Sequence, residues 1–439
     1  MSEILSIHIG QAGIQVGNAC WELFCLEHDI QPDGKVLQNP NDVKIDEFKS
    51  FYSETKTGQF VPRSLCLDIE QNAIDNIKHS AYKQLYDPES FVCANLEAAN
   101  NFACGFYEIN NQFFDACLDK IRKLTENCSD PQGFMIYSSL GGGTGSGLGS
   151  LLLQKIKDIY SKKTNLGLNI YPSDKISKRQ EDSFNSVLSI QYLENNDANL
   201  VLDNEAIYDI CKINLGIEQP TYTNLNKVIA QAVSSLTCNM RFDGGAILTK
   251  LDEIQKNLIP YHPLSFLLSS YSPFVAKDKN QNEFQLNEIT SNAFQPCNMM
   301  AKCDPNLGYY LGLNVILRGN IRPCDSCRSM NQQTVRQGIK FPNWINHYRY
   351  AINYHTPVTI PGSEFISFDK SVFMISNSSS ISQVLTRITE NFDQILSKSE
   401  LMQLYKHQGV EESEVIEARR NIVQLKDDYQ LIENLEDDD

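Results

Sequence analysis

Seven residues, Gly141-Gly-Gly-Thr-Gly-Ser-Gly147, stand between an apolar run that reads as a strand and an apolar stretch that reads as a helix. No other segment restricts the fold as much, because glycine lets backbone N–H groups close in and curl around phosphate oxygens. The helix that follows adds its positive N-terminal end, and Thr144 and Ser146 are expected to add hydroxyl donors. A flexible linker would lack the flanking strand and helix, so phosphate binding is expected. Spacing excludes two common phosphate loops. No Lys closes the cluster, as a Walker A loop requires, and no register of it fits G-x-G-x-x-G.

Around this loop the first half of the chain alternates. Residues 4–9, 64–69, 134–140, 166–171 and 198–202 read as strands, with helical patterns between them, one from about 148 to 160. Strand–loop–helix repetition predicts an α/β fold with a parallel sheet covered by helices on both faces. Ligands of such sheets sit at the carboxyl ends of the strands. A helix without Gly or Pro is predicted over 221–241, its apolar positions nearly encircling it, so it is expected to be buried. A proline-punctuated mixed α/β segment follows to about 375, then two amphipathic helices over 382–398 and 414–435. These readings give a nucleotide-binding domain at 1–204, a linking segment with the core helix at 205–241, an intermediate domain at 242–376, and C-terminal helices with an acidic tail at 377–439.

A net charge of −16 argues against nucleic acid as a partner. No apolar run is long enough to span a bilayer and no secretory signal opens the chain, so a cytosolic protein is expected. Residues 411–439 carry eleven acids against three bases, and the closing Glu436-Asp-Asp-Asp439 is expected to be disordered, either as a solubilising tail or as a lure for basic partners. The thirteen cysteines are odd in number and scattered, unlike a disulfide framework. One CxxC, Cys324-Asp-Ser-Cys327, lacks the second pair or His cluster of a zinc site and is read as a reduced pair.

The glycine cluster resembles the GGGTGSG signature of the tubulin and FtsZ family. The resemblance extends over nearly the whole chain through Gly10-Gln-Ala-Gly13, Glu97-Ala-Ala-Asn-Asn101, Val201-Leu-Asp-Asn-Glu205, Pro220-Thr-Tyr-Thr-Asn-Leu-Asn226, Arg241-Phe-Asp-Gly244 and Lys302-Cys-Asp-Pro305. It implies a tubulin-like architecture that binds GTP and Mg2+. Gly142, Gly143, Thr144 and Gly145 match its phosphate cradle, and Gly10, Gln11 and Ala12 its first phosphate-side loop. Asp68 and Glu70 match the magnesium side, with Glu70 as the metal residue; Ala98, Asn100 and Ser139 match phosphate-side contacts. Asn204 and Asn226 carry amides able to pair with both edges of guanine, and Tyr222 resembles the residue stacked on that base.

Two segments resemble the α-type branch: Lys250-Leu-Asp-Glu253 with the helix after it, and the loop Thr359-Ile-Pro-Gly-Ser-Glu364 onward. The resemblance implies partnership with β-tubulin, lateral tubulin neighbours, and motors and microtubule-associated proteins on the C-terminal helices. It also implies that Glu253 acts in trans as a catalytic carboxylate on the neighbouring β-tubulin's GTP. A tubulin-like regulator that stays out of ordinary lattices is the alternative. Several residues depart from the pattern. Leu248 and Lys250 replace Asn and Asp, and Lys250 is placed to attract phosphate or pair with Glu253. Lys178 and Asp182 alter the sugar-side loop, Lys44 lies only near the usual acetylated position, and the terminal Glu-Tyr is missing. Together they suggest an isotype specialised for one array, such as an axoneme in a cilium.

Overall fold

The computed structural model describes residues 3–36, 48–94, 100–173, 176–177, 179–277, 284–336, 339–345, 348–396 and 399–437. Lys44, Ala98 and Lys178 lie outside the described residues. The chain forms two compact units, the first comprising residues 1–199 and 387–424.

In the first unit, β1 (Glu3–Ile9) runs straight into α1 (Gly10–Glu27). A small hairpin, β2 (Tyr52–Glu54) and β3 (Phe60–Pro62), precedes β4 (Ser64–Asp68), α2 (Asn72–Lys78) and β5 (Phe91–Cys93). Then come α3 (Phe102–Phe106), α4 (Asn111–Glu126), β6 (Pro131–Ser139), a π-turn over Thr144–Leu148, α5 (Gly149–Ile159), β7 (Thr164–Tyr171) and α6 (Glu181–Ile190). The strands pair in parallel in the order β7-β6-β1-β4-β5. Every residue of β1 is buried, as the run Glu-Ile-Leu-Ser-Ile-His-Ile requires of a strand covered on both faces. Because the chain moves from β1 first to β4 and later to β6, strand order reverses at β1. A crevice for ligand opens at such a point, outside the carboxyl ends of the strands.

Strand β8 (Ala198–Asp203) leads into the second unit, residues 200–386 and 425–439. Here α7 (Asn204–Asp209), α8 (Tyr222–Arg241), α9 (Leu251–Leu258), β9 (Phe266–Ser272), α10 (Leu286–Ala293), β10 (Tyr310–Gly319), α11 (Pro323–Arg336), β11 (Arg349–Asn353) and β12 (Lys370–Ser378) follow. The sheet is mixed: β10 pairs in parallel with β11 and antiparallel with β12, which pairs antiparallel with β9. The expected core helix is α8, buried on all sides from Val228 to Arg241. Arg241 is tolerated there because its guanidinium donates to Thr237 Oγ1 at 3.1 Å and to the Ser234 carbonyl at 2.9 Å.

The C-terminal segment holds α12 (Ser382–Leu396), α13 (Ser399–His407) and α14 (Glu412–Asp437). The pattern predicts two helices; α13 is the addition. Its nine residues are too few to show a period, and it is pinned by Tyr405, which is fully buried and 5.2 Å from the Phe184 ring. The apolar stripe of α14 is buried at Val415, Ala418, Ile422 and Tyr429, as expected of a helix packed on its own body. Its backbone stays helical to Asp437, inside the acidic run expected to be disordered; Asp438 and Asp439 lie outside the described residues. Among the described residues no helix is long and apolar enough to cross a membrane.

Candidate nucleotide site

The loops after β1 and β6 meet at the point where strand order reverses. Gly10 takes φ +70°, a left-handed conformation that suits glycine, and a Cβ there would sit 3.1 Å from the Gly145 nitrogen. Gly13 lets α1 lie against β6, where a Cβ would fall 2.3 Å from the Tyr137 carbonyl. This packing leaves Gln11 exposed and Ala12 half-buried at the helix start.

Beyond β6 the loop is compressed against backbone on several sides. A Cβ on Gly143 would lie 2.5 Å from the Asn101 nitrogen, and one on Gly145 2.4 Å from the Ser139 carbonyl. Gly147 approaches the Phe102 carbonyl just as closely, 2.3 Å from its own missing Cβ. Gly142 alone in this run faces open space, with nothing within 4 Å of a Cβ. Serine at 146 corrects an expectation. It is buried, and its hydroxyl donates to the Gly142 carbonyl at 2.6 Å, so it braces the loop instead of offering a donor to phosphate. The backbone bond from Ser146 N–H to the same carbonyl, at 3.0 Å, shapes the turn.

A residue without an assigned role in the sequence reading organises this corner. Asn185, fully buried on α6, donates to the Gly141 carbonyl at 2.6 Å and to the Asn100 carbonyl at 2.8 Å. Its Oδ1 accepts from the Phe102 N–H at 2.8 Å and the Tyr405 hydroxyl at 2.7 Å. Every hydrogen-bonding atom of the amide is in use, which fixes two loops at once. Asn100 itself has φ +51°, a conformation asparagine tolerates better than most residues, and its side chain is exposed. The sequence carries no local signal for this role, since Asn185 stands among Glu181, Asp182, Ser183 and Ser186 in a largely polar helical stretch.

Asp68 ends β4 and is buried, accepting from the Glu70 N–H at 3.2 Å. Burial pushes its carboxyl up to about 6, while the Glu70 N–H and the Thr144 side chain pull it down. The carboxyl is thus tied to the glycine loop through Thr144. Glu70 is half-buried. Among the described residues no three His, Cys, Asp or Glu side chains form a metal cage. Two carboxylates at a phosphate loop suit Mg2+, which keeps waters and takes phosphate oxygens. Ser139 is half-buried beside Gly145. Asp182 is buried near Gly141, with one oxygen accepting from the Ser177 hydroxyl at 2.6 Å.

In the second unit, Asn204 opens α7, and Tyr222 and Asn226 lie four residues apart on the first turns of α8, which packs on α7. Helix capping is done by their neighbours. The Asp203 carboxylate accepts from the Glu205 N–H at 2.9 Å, and the Asn224 side chain accepts from the Thr221 N–H at 3.0 Å. Asn204 and Asn226 are half-buried and Tyr222 is 51% exposed.

Glu253 stands in the first turn of α9. Both its oxygens accept from Thr249, one from the N–H and one from the hydroxyl, each at 3.0 Å. Its partner is therefore Thr249, not Lys250, whose side chain is exposed. Leu248, standing where the resemblance has Asn, is buried at φ +53°, a conformation that strains a bulky residue.

A parallel sheet with a backbone-lined glycine loop at its switch point defines a nucleotide-binding protein outside the Walker and dinucleotide classes. Comparison with known proteins narrows this: residues 3–212 match the Tubulin/FtsZ family GTPase domain and residues 263–390 the tubulin C-terminal domain. The chain is 48% identical over 436 residues to the "Tubulin alpha chain, nucleomorph" of Guillardia theta, covering 98% of this chain and 97% of that protein. It is 45% identical over 448 positions to the "Tubulin alpha-1 chain" of Arabidopsis thaliana, covering 100% of this chain and 99% of that one. The chain belongs to the tubulin family, in its α-type branch.

Proposed function

We propose that this chain is a microtubule subunit that binds GTP with Mg2+, pairs with β-tubulin and assembles through longitudinal and lateral contacts with other tubulins. The observation that carries this reading is the glycine loop, packed against backbone at Gly143, Gly145 and Gly147 yet open at Gly142. Gly10, Gln11, Ala12 and Gly142 to Gly145 would hold the phosphates, with Ala98, Asn100 and Ser139 beside them. Asp68 and Glu70 would face the metal, Lys178 and Asp182 the sugar, and Asn204, Tyr222 and Asn226 the guanine. This GTP would lie buried at the joint with β-tubulin, apart from the nucleotide that Glu253 acts on, and Mg2+ held with it would supply positive charge beside Asp68 and Glu70. The C-terminal helices would carry motors and microtubule-associated proteins, placing the chain in the cytoplasmic cytoskeleton, with an axoneme as the specialised array.

Two measurements test this. Protein purified without added nucleotide is expected to release guanine nucleotide on denaturation and to co-pellet with β-tubulin on assembly. Recovery only in the supernatant would point to a tubulin-like regulator instead.

Glu253 is assigned the hydrolytic role in trans, with Thr249 fixing the carboxylate so that it can orient water at the neighbouring β-tubulin's nucleotide. Glu253→Ala is expected to lower GTP turnover in assembled polymer roughly 10²-fold. Loss of its bonds to Thr249 should lower stability by only about 1 kcal/mol. Equal turnover in polymer from the two chains would remove Glu253 from catalysis and leave it as a brace for Thr249.

A further inference from the structure

The Cys324-Asp-Ser-Cys327 pair is not used by any step above. Among the described cysteines most are buried or half-buried; Cys297, Cys324 and Cys327 are exposed, and only the last two share a helical turn. Residues three apart on an α-helix have Cβ atoms about 5–6 Å apart, whereas a disulfide needs about 3.5–4.5 Å. A regular turn therefore falls slightly short. The first turn of α11 is not regular. The Arg322 carbonyl accepts from Asp325 N–H at 3.0 Å and from Ser326 N–H at 3.2 Å, mixing i+3 with i+4 bonds. The Ser326 hydroxyl also donates to the Pro323 carbonyl at 2.7 Å. These bonds belong to the terminal turn of the helix, the part that frays and can adjust to bring the two sulfurs together.

Charge at this turn is equally uneven. Arg322 and Arg328 bracket the two cysteines and, with Lys370 and the lone acid Asp325, line a cavity of about 530 Å3. Arg322 pairs with Asp325 at 2.9 Å, which leaves Arg328 and Lys370 as the excess positive charge in a chain of net charge −16. The volume suits a small ligand, and the guanidiniums suit carboxylates. On the other side, Cys327 is held by the Tyr350 hydroxyl and the Asn331 amide.

We propose that Cys324 and Cys327 form a dithiol–disulfide switch that reacts with anionic low-molecular-weight disulfides, whose carboxylates are received by Arg322, Arg328 and Lys370. The Cys324 thiolate attacks the reagent's S–S bond, forming a mixed disulfide and releasing one thiol. Cys327, positioned by Tyr350 and Asn331, then attacks the Cys324 sulfur and expels the second thiol. The protein loses two electrons and two protons, and the reagent disulfide gains both.

The test treats reduced full-length protein, as purified with any partner it carries, with oxidised glutathione or with neutral hydroxyethyl disulfide. The native chain is expected to lose the mass of two hydrogens from the peptide bearing both cysteines and to release two equivalents of glutathione. Cys327→Ser should stop at a stable glutathione adduct on Cys324. The double variant Arg322→Gln, Arg328→Gln should react roughly tenfold more slowly with glutathione disulfide and unchanged with the neutral reagent. A stable adduct on the native chain would overturn closure of the pair. An equal loss of rate with both reagents, or none with either, would overturn recognition of the anion.

Discussion

Gly145→Ala is expected to lose both nucleotide and stability, whereas Gly142→Ala, three positions earlier, should lose nucleotide alone. The difference follows from what a single methyl group meets. At Gly145 it lies 2.4 Å from the Ser139 carbonyl and 2.9 Å from the Ser139 nitrogen, and both belong to the central sheet. Neither can step aside as a flexible side chain could, so the loop must move away from β6. Overpacking of this kind costs about 1–3 kcal/mol, and the displaced loop no longer presents its amides. At Gly142 the methyl group meets nothing within 4 Å. Folding should change by no more than about 0.5–1 kcal/mol, and a more restricted unfolded chain could even favour the variant. The methyl group nonetheless occupies the space through which backbone amides would reach phosphate oxygens. A tenfold weaker affinity corresponds to about 1.4 kcal/mol, a modest penalty for such an intrusion. Denaturant midpoints and nucleotide retained after desalting, measured on both variants, separate the two effects. If Gly142→Ala keeps its nucleotide as firmly as the native chain, the open face of the loop is not the phosphate site.

This contrast also marks how far the sequence can be read. The glycine cluster, its strand and its helix were legible because no other residue type permits backbone to pack on backbone. The core helix was legible for a similar reason: apolar positions that nearly encircle 221–241 have few places to go. What stayed hidden were roles set by partners distant along the chain. Asn185 supports the loop only because residues 100, 102, 141 and 405 converge on it. Nothing local distinguishes it from a surface asparagine. Ser146 shows the converse error. A hydroxyl within a phosphate loop suggests a ligand donor, yet the π-turn directs it back to the Gly142 carbonyl four residues earlier. The reading of Lys250 beside Glu253 failed in the same way, since helix-start geometry favours Thr249 as the partner of the Glu253 carboxylate.

The fold should also become sensitive to acid through a residue outside the nucleotide-contacting set. His8 lies on β1, two positions before Gly10, fully buried with its Nε2 accepting from the Trp21 indole at 3.1 Å. Gly17 makes room for it, since a Cβ there would fall 2.2 Å from His8 Nδ1. Burial lowers its pKa from 6.5 to about 3, because a charged imidazolium has no solvent there. An unfolded chain takes up a proton near pH 6.5 that the folded chain refuses until about pH 3. This contribution to stability is complete above pH 6.5 and is lost as pH falls toward 3. It amounts to about 2 kcal/mol by pH 5 and about 5 kcal/mol at the lower limit. His8→Gln has no proton to gain, so it should start less stable at pH 7 and approach the native chain as pH falls. Between pH 7 and pH 5 the gap in unfolding free energy is expected to close by about 2 kcal/mol. Nucleotide release should follow the same pH course in the native chain, because His8 and Trp21 hold the strand and helix that meet at Gly10. Parallel stability curves for the two chains would show that His8 is charged in the folded state, and that the packing of α1 on β1 is not what acid attacks.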